Sequence, residues 1–360
     1  MIYRCCDDRR TNEDRSMKHV GVDDGSSAIK LIGKSIKHVV PSKIASGVVT
    51  TTALAGQVAD QWGYLVGGTE RYVVGNVRNP EPTDYAGYQS SAASRVLTLH
   101  ALRMAGVKGE VSIVASLPFG QFYTKTGDVN TRAITRKIDN LKKNDVRALD
   151  ADSLPHIAEV QVVSEALAAW FDLVLTENAE GAMRPDGAWL DKPVAVIDIG
   201  GNTVDCCLVE QMRVHHDVSG TLMRSGAIEV VHTAQKLISS IDVIANQIDD
   251  ELPLRLVENA VFGERPVIRI RGNEYNVQDK VIAAKQTVAA SVRAWLVRQL
   301  GSALDVERIM FVGGGALLLR RQLRDIFPDA IFPDEPQLAN ARGLYKYALM
   351  QASAKGVKVA

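Results

Sequence analysis

Cysteine is scarce in this chain, and what there is suits metal binding poorly. The four cysteines stand as two adjacent pairs, Cys5-Cys6 and Cys206-Cys207, with no Cys-x-x-Cys spacing. Neighbouring residues of a strand point to opposite faces, so Cys206-Cys207 makes a poor chelate even with His215 and His216 close behind. Small apolar cysteines in a buried strand fit the pattern better, and a reducing cytoplasm is the expected compartment. Net charge is absent as well. Lys and Arg number 42 and so do Asp and Glu, so no overall field draws the chain onto nucleic acid or an anionic membrane. The longest apolar run, 166–175, contains Asp172 and falls far short of the roughly 20 residues that span a bilayer. Residues 1–16, MIYRCCDDRRTNEDRS, have no apolar h-region. They read as a disordered lead-in rather than a secretory signal, with the folded protein starting near Met17.

Glycine, by contrast, is concentrated where it matters. Three glycine-rich loops each adjoin an apolar strand: Val22-Asp23-Asp24-Gly25-Ser26-Ser27, then Asp198-Ile199-Gly200-Gly201-Asn202-Thr203, then Gly313-Gly314-Gly315-Ala316. Glycine lets a backbone approach a ligand closely and turn its N–H groups toward phosphate oxygens. Two of the loops also carry an Asp at the strand end, where a metal-bound nucleotide needs an anion. Taken singly, each is equally a hairpin turn.

A chain of 360 residues suits two domains of roughly 150 residues each. The pattern strand, Asp-Gly turn, strand occurs twice, at 20–32 and 195–209, which points to two related α/β domains facing one another. Between them the reading gives β-rich segments at 39–40, 47–52 and 71–74, a helix over 90–105 stopped by Gly106, and a buried strand over 111–117. Residues 124–152 read as a polar surface excursion with a short helix over 132–142. A strand over 160–163 comes next, then a helix over 165–175 with Ser164 as N-cap. On the residues alone Glu165 is then a first-turn carboxylate facing the helix dipole. Residues 178–191 are punctuated like a boundary. Long helices are expected over 227–248 and 279–300, and a last buried strand over 309–312. Asp205 reads as a solvent-side or turn-supporting carboxylate.

One motif competes with this scheme. Residues 28–35, AIKLIGKS, fit a relaxed phosphate-loop pattern. A true phosphate loop comes after a strand and opens a helix, whereas Ile29-Lys30-Leu31-Ile32 reads as the strand itself and the next segment, 36–40, is closed by Pro41. Residues 28–35 are therefore read as a chance match.

The order VDDGSSAIKL, VIDIGGNTVD, IMFVGGGALLL resembles the phosphate-one, phosphate-two and adenosine motifs of the actin-like ATPase superfamily, and is most like the plasmid-segregation actins of the ParM/StbA family. SLPFGQFY, NTRAITRK and ANARGLYKYA agree with it, and the resemblance runs over nearly the whole chain from Met17 to about Leu349. The resemblance implies an α/β protein of two ribonuclease-H-like domains with a nucleotide cleft between them. Residues 17–192 plus 333–356 would form domain I and 193–332 domain II.

It further implies an ATPase that forms dynamic filaments for plasmid or DNA segregation, with ATP or GTP and Mg²⁺ as ligands. Partners would be other copies of itself and a DNA-binding adaptor at the filament ends, with no direct nucleic-acid or membrane contact. Residue by residue, Asp23 and Asp198 would hold the metal through water. Asp24, Gly25, Ser26, Ser27, Lys30, Gly200, Gly201, Asn202, Thr203, Gly313, Gly314 and Gly315 would hold the nucleotide. Glu165 would position the attacking water with Asp198, and Gly343 would give a tight hinge contact. A small-molecule kinase or a chaperone-like ATPase on the same scaffold is the alternative.

Overall fold

The computed structural model describes residues 17–54, 60–85, 87–150, 152–179, 181–248, 251–301 and 305–354. The lead-in 1–16, with Cys5 and Cys6, lies outside them, as do the last residues of the expected first domain, 355–356.

The first sheet starts with a hairpin, β1 (Lys18–Asp24) and β2 (Ala28–Gly33), continued by β3 (Ile36–Pro41). Two parallel strands complete it, β4 (Glu110–Leu117) and β5 (His156–Ser164), giving the order β3-β2-β1-β4-β5. The second sheet repeats the plan. Its hairpin is β6 (Val194–Ile199) and β7 (Thr203–Glu210), with the short β8 (Arg213–Val214) and β9 (Gly220–Met223) on β7. The parallel neighbour of β6 is β10 (Arg308–Val312), beyond which Ile331 bridges Met310 in parallel. The duplication expected from the two Asp-Gly turns is thus a duplicated sheet topology. Residues 28–35 are β2, a tight turn and Ser35 just ahead of β3, as the strand reading required.

Alternation along the inner strands explains the packing. In β6, Ala195, Ile197 and Ile199 enter one apolar cluster while Val194 and Val196 enter another. Cys206 and Cys207 divide in the same way, one to each cluster, which is why the pair cannot close on a single metal. A sheet buried on both faces must read as nearly continuous apolar sequence, and β6 does.

Several local expectations are corrected. Residues 47–52 form no strand, because the Gln61 side chain accepts from the Thr50 and Thr51 N–H groups in place of a ladder. The helix over 227–248 ends early. Helix α5 spans Ala227–Ser239, Ser240 caps it with its hydroxyl donating to Leu237 O, and Ile241 is extended before one further short turn. Helix α6, Gln278–Leu300, runs as expected to Gly301. Between α5 and α6 in the chain come a helix at Leu254–Phe262 and a hairpin of Val267–Ile270 with Asn273–Asn276. Earlier in the chain, helix α1 spans Ala92–Met104, capped by Ser91, and α2 spans Phe119–Phe122. Helix α3 spans Thr131–Lys142, capped by Asn130. It is no mere surface element, since Lys137, Asn140 and Leu141 are buried.

Two helices tie the sheets together: α4 (Leu167–Val174), and α8 (Ala339–Ala354) beyond the short α7 (Gly314–Leu318). They cross so closely that a Cβ on Gly343 would overlap Ala168 O, and α8 lies as close against β1, where one on Gly21 would overlap Ala341 O. The tight contact expected at Gly343 is therefore present, against α4. Asp172 of α4 accepts from Arg342 Nε at 2.9 Å and pairs with Lys346 Nζ at 3.0 Å, bracing the crossing.

Candidate functional site

The first loop is held from behind by its carbonyls. Ser42 Oγ donates to Gly25 O at 2.8 Å, Thr83 Oγ1 to Ser26 O at 2.6 Å, and Ser42 N to Ser27 O at 3.0 Å. No peptide here is cis, so each N–H lies opposite the preceding carbonyl. The Ser26 and Ser27 N–H groups are thereby turned to the side where these residues line a cavity of about 390 Å³.

The second loop uses the same device with a different anchor. Gly200 O and Gly201 O accept from the first N–H groups of α5, Ala227 at 3.0 Å and Ile228 at 2.8 Å, and Asn202 O accepts from Ser225 N at 3.2 Å. The helix N-terminus is thus satisfied by the loop, and the loop N–H groups of Gly201, Asn202 and Thr203 turn the other way. These residues line the same cavity. The two loops abut: a Cβ on Gly201 would overlap Ser27 Oγ.

Carboxylates gather at the strand ends. Asp23, Asp84, Glu165 and Asp198 line the cavity with one ammonium, Lys30. Lys30 Nζ donates to Asp23 Oδ2 at 2.7 Å. Burial works against the lysine's charge, but Asp23, and beyond it Asp198 and Glu165, more than offset this and raise its pKa. Asn340, at the start of α8, donates to Asp198 Oδ2 at 2.6 Å. Burial and the neighbouring Asp23 still push Asp198 up to about 6, against Lys30 and Asn340.

Glu165 is presented by a strained turn rather than by a helix. Its N–H donates to Leu117 O at 2.7 Å, and its own carbonyl accepts from Leu167 N at 2.7 Å. The residue between, Ala166, has φ 62° and ψ −47°, the conformation of a γ-turn that L residues rarely adopt. Ser164 is the end of β5 and its hydroxyl donates to Glu165 O, so neither Ser164 as N-cap nor Glu165 as first-turn residue holds. Such strain costs on the order of 1–3 kcal/mol and persists only where packing imposes it, which marks the position. Burial, then Asp205, Asp23 and Asp198, raise the pKa of Glu165 well above the usual carboxylate range.

Other predicted site residues lie elsewhere. Asp24 does not line the cavity; its carboxylate is buried and accepts from Lys137 Nζ at 2.7 Å. Burial, opposed by Lys137, raises its pKa. Nor do Gly313, Gly314 and Gly315 line it. Gly313, at φ 90°, and Gly315 let the third loop pass against Asp198 and Ile199, and only at Gly314 would a Cβ find open space. Asp205 is buried, not solvent-side. It accepts from Phe119 N at 3.2 Å and from Thr221 Oγ1, joining the end of β4 to the second sheet. Burial pushes it up to about 7.

Sequence reading missed Asn340, Lys137, Ser42 and Thr83. Asn340 and Lys137 sit inside the stretches ANARGLYKYA and NTRAITRK; nothing distinguished Ser42 or Thr83.

The site's chemistry can be tested for fit to a divalent cation. Its donors are hard carboxylate oxygens, and they outnumber the single ammonium, as a Mg²⁺ held through water requires. Among the described residues no group of three or more His, Cys, Asp and Glu could hold a metal directly. No helix among them is long and apolar enough to cross a membrane.

Comparison with known proteins agrees with the fold. Residues 17–175 match the family model "Plasmid segregation protein ParM, N-terminal", and residues 196–325 match "Archaeal actin homologue MreB-like, C-terminal". No curated protein matches the chain. Among solved structures, a non-polymerisable quadruple mutant of pCBH ParM is 20% identical, with 92% of this chain and 99% of that one covered at a TM-score of 0.73. The subunit of a 15-stranded ParM filament from Clostridium botulinum is 18% identical, covering 92% and 99% at 0.71. The archaeal actin homologue Ta0583, in complex with ADP, is 19% identical, covering 92% and 99% at 0.69.

Proposed function

Since the chain belongs to the actin-like superfamily, with a ParM-type N-terminal half, we propose that it is a nucleotide-dependent filament-forming ATPase serving plasmid or DNA segregation. One observation carries the reading: two loops, each pinned by its carbonyls, turn their N–H groups onto one cavity flanked by Asp23, Lys30 and Asp198. That arrangement suits a chain of phosphates, which needs donors on both sides and a cation beside it. The filament part of the reading is supported by family membership and by the filament named for the Clostridium botulinum relative.

In this reading residues 17–192 with 333–356 form one domain and 193–332 the other, with α4 and α8 crossing at the hinge. Gly25, Ser26, Ser27, Gly200, Gly201, Asn202 and Thr203 cradle the phosphates. Lys30 places a positive charge beside them, and its pairing with Asp23 fixes where. Asp23 and Asp198 orient the water shell of a Mg²⁺, which would neutralise phosphate charge. Glu165, held rigidly by the γ-turn, orients the attacking water and takes its proton, a contribution of roughly 10²–10⁴-fold in rate. Burial and the neighbouring carboxylates favour its protonated form, which cannot take a proton, and a cation in the loaded site would shift it toward the carboxylate that can. Loss of the terminal phosphate removes the bond between the two loops and releases the closed shape. A cytoplasmic setting and a DNA-binding adaptor at the filament ends complete the proposal.

The test pairs pelleting with phosphate release. Glu165→Ala should still pellet with ATP, release phosphate roughly 10²–10⁴-fold more slowly, and fail to disassemble. Rapid phosphate release by that variant would remove Glu165 from the mechanism. Release by the wild type with no acceptor added separates an ATPase from a small-molecule kinase.

A further inference from the structure

Lys137 lies on a helix whose sequence reads as polar surface, yet its side chain is 1% exposed. An ammonium has three N–H donors, and all three are used. One goes to Asp24 Oδ1 at 2.7 Å, one to Gln89 Oε1 and one to Ser116 O. The acceptors come from three separate segments. Asp24 ends β1 and begins the first loop, Gln89 lines the cavity, and Ser116 precedes Leu117, whose carbonyl holds Glu165 N. Gln89 closes the ring by donating to Asp24 O at 3.4 Å.

A buried ion pair is a poor way to gain stability, since apolar residues of like volume often serve as well or better. What this one does is fix direction. We infer that Lys137 is a positioning residue: it locks the start of the first phosphate loop, the Gln89 wall and the end of β4 into one unit, so that the Ser26 and Ser27 N–H groups and Glu165 keep their places before nucleotide arrives. The inference rests on the proposed nucleotide site for its consequence and on the hydrogen-bond geometry alone for its mechanics. The Asn140 side chain, one turn on, anchors α3 independently by donating to Ser91 O at 2.9 Å, so the helix keeps its seat without Lys137.

The experiment uses the full chain and the double variant Asp24→Asn/Lys137→Met, which removes the charge pair together and leaves no lone buried charge. Hydrogen exchange of residues 24–28 is measured without nucleotide, and affinity is measured with a fluorescent ADP analogue and Mg²⁺. The account expects a folded variant whose 24–28 amides exchange roughly tenfold faster than wild type. It expects analogue affinity roughly tenfold weaker, from lost preorganisation. A folded variant within about twofold of wild type on both readouts would show that the pair serves stability alone and overturn the inference. If the double variant does not fold, Gln89→Leu removes one acceptor and spares the ion pair. Faster exchange at 24–28 in that variant supports the inference, and unchanged exchange overturns it. A wild type that fails to bind the analogue defeats the nucleotide reading, while the exchange comparison still decides the role of Lys137.

Discussion

Asp205 and Asp198 stand opposite one another in the β6–β7 register, and both carboxyls are buried. Their pKa values, pushed up to about 7 and about 6, lie above the ordinary value of 3.8 that the unfolded chain retains. From about pH 4 to pH 7 the folded chain therefore binds more protons than the unfolded one, and stability falls as pH rises through that window. The penalty is absent below it and complete above it. Nucleotide-free protein should thus melt lower at pH 8 than at pH 5. Asp205→Asn keeps an oxygen to accept from Phe119 N and Thr221 while removing the charge. Scanning calorimetry should find its melting temperature higher than wild type by a few degrees at pH 8, with the difference shrinking toward zero as pH falls to about 4. An unaltered pH slope would show that Asp205 is not a source of it. Asp23, Lys30 and Asp198 were legible because they flank glycine turns whose order is distinctive. Lys137 and Asp205 were not, because what defines each is a partner 113 or 86 residues away in the chain.

Periodicity located the inner strands of both sheets and helices α1, α3, α5 and α6, but it missed α8, the strand Gln61–Val66 and the hairpin of Val267–Ile270 with Asn273–Asn276. Nor did it find the points where a local hydrogen bond overrides it. Ser240 ends α5 by bonding back to Leu237, and Gln61 replaces a strand ladder at Thr50 and Thr51. The turn at Ala166 is set by the two bonds of Glu165, its N–H to Leu117 O and its carbonyl from Leu167 N, so the helix read over 165–175 begins two residues later, at Leu167. The glycines were more telling. The α4–α8 crossing leaves no room at Gly343, where the obstacle is the Ala168 carbonyl and not a side chain that can swing aside. Gly343→Ala should force the helices apart at a cost of about 1–3 kcal/mol, well above the small gain in helix propensity. Denaturant unfolding measures it, and an unchanged midpoint would mean that the crossing is loose.

Two sheets of the same topology, joined by α4 and α8, place their first turns face to face, so the cleft is a consequence of the duplication itself. The two family-model matches divide along the same line, one on 17–175 and the other on 196–325. On the proposed function, assembly would belong to the whole chain: a cleft closed on nucleotide would set the angle between the halves, and that angle would decide whether copies stack. The most direct measurement is negative-stain microscopy of the full-length protein across a broad concentration range, with Mg²⁺ and a non-hydrolysable ATP analogue and without nucleotide. The account predicts filaments with the analogue and none without it. Analogue shown to be bound, with no filaments at any concentration, would contradict it.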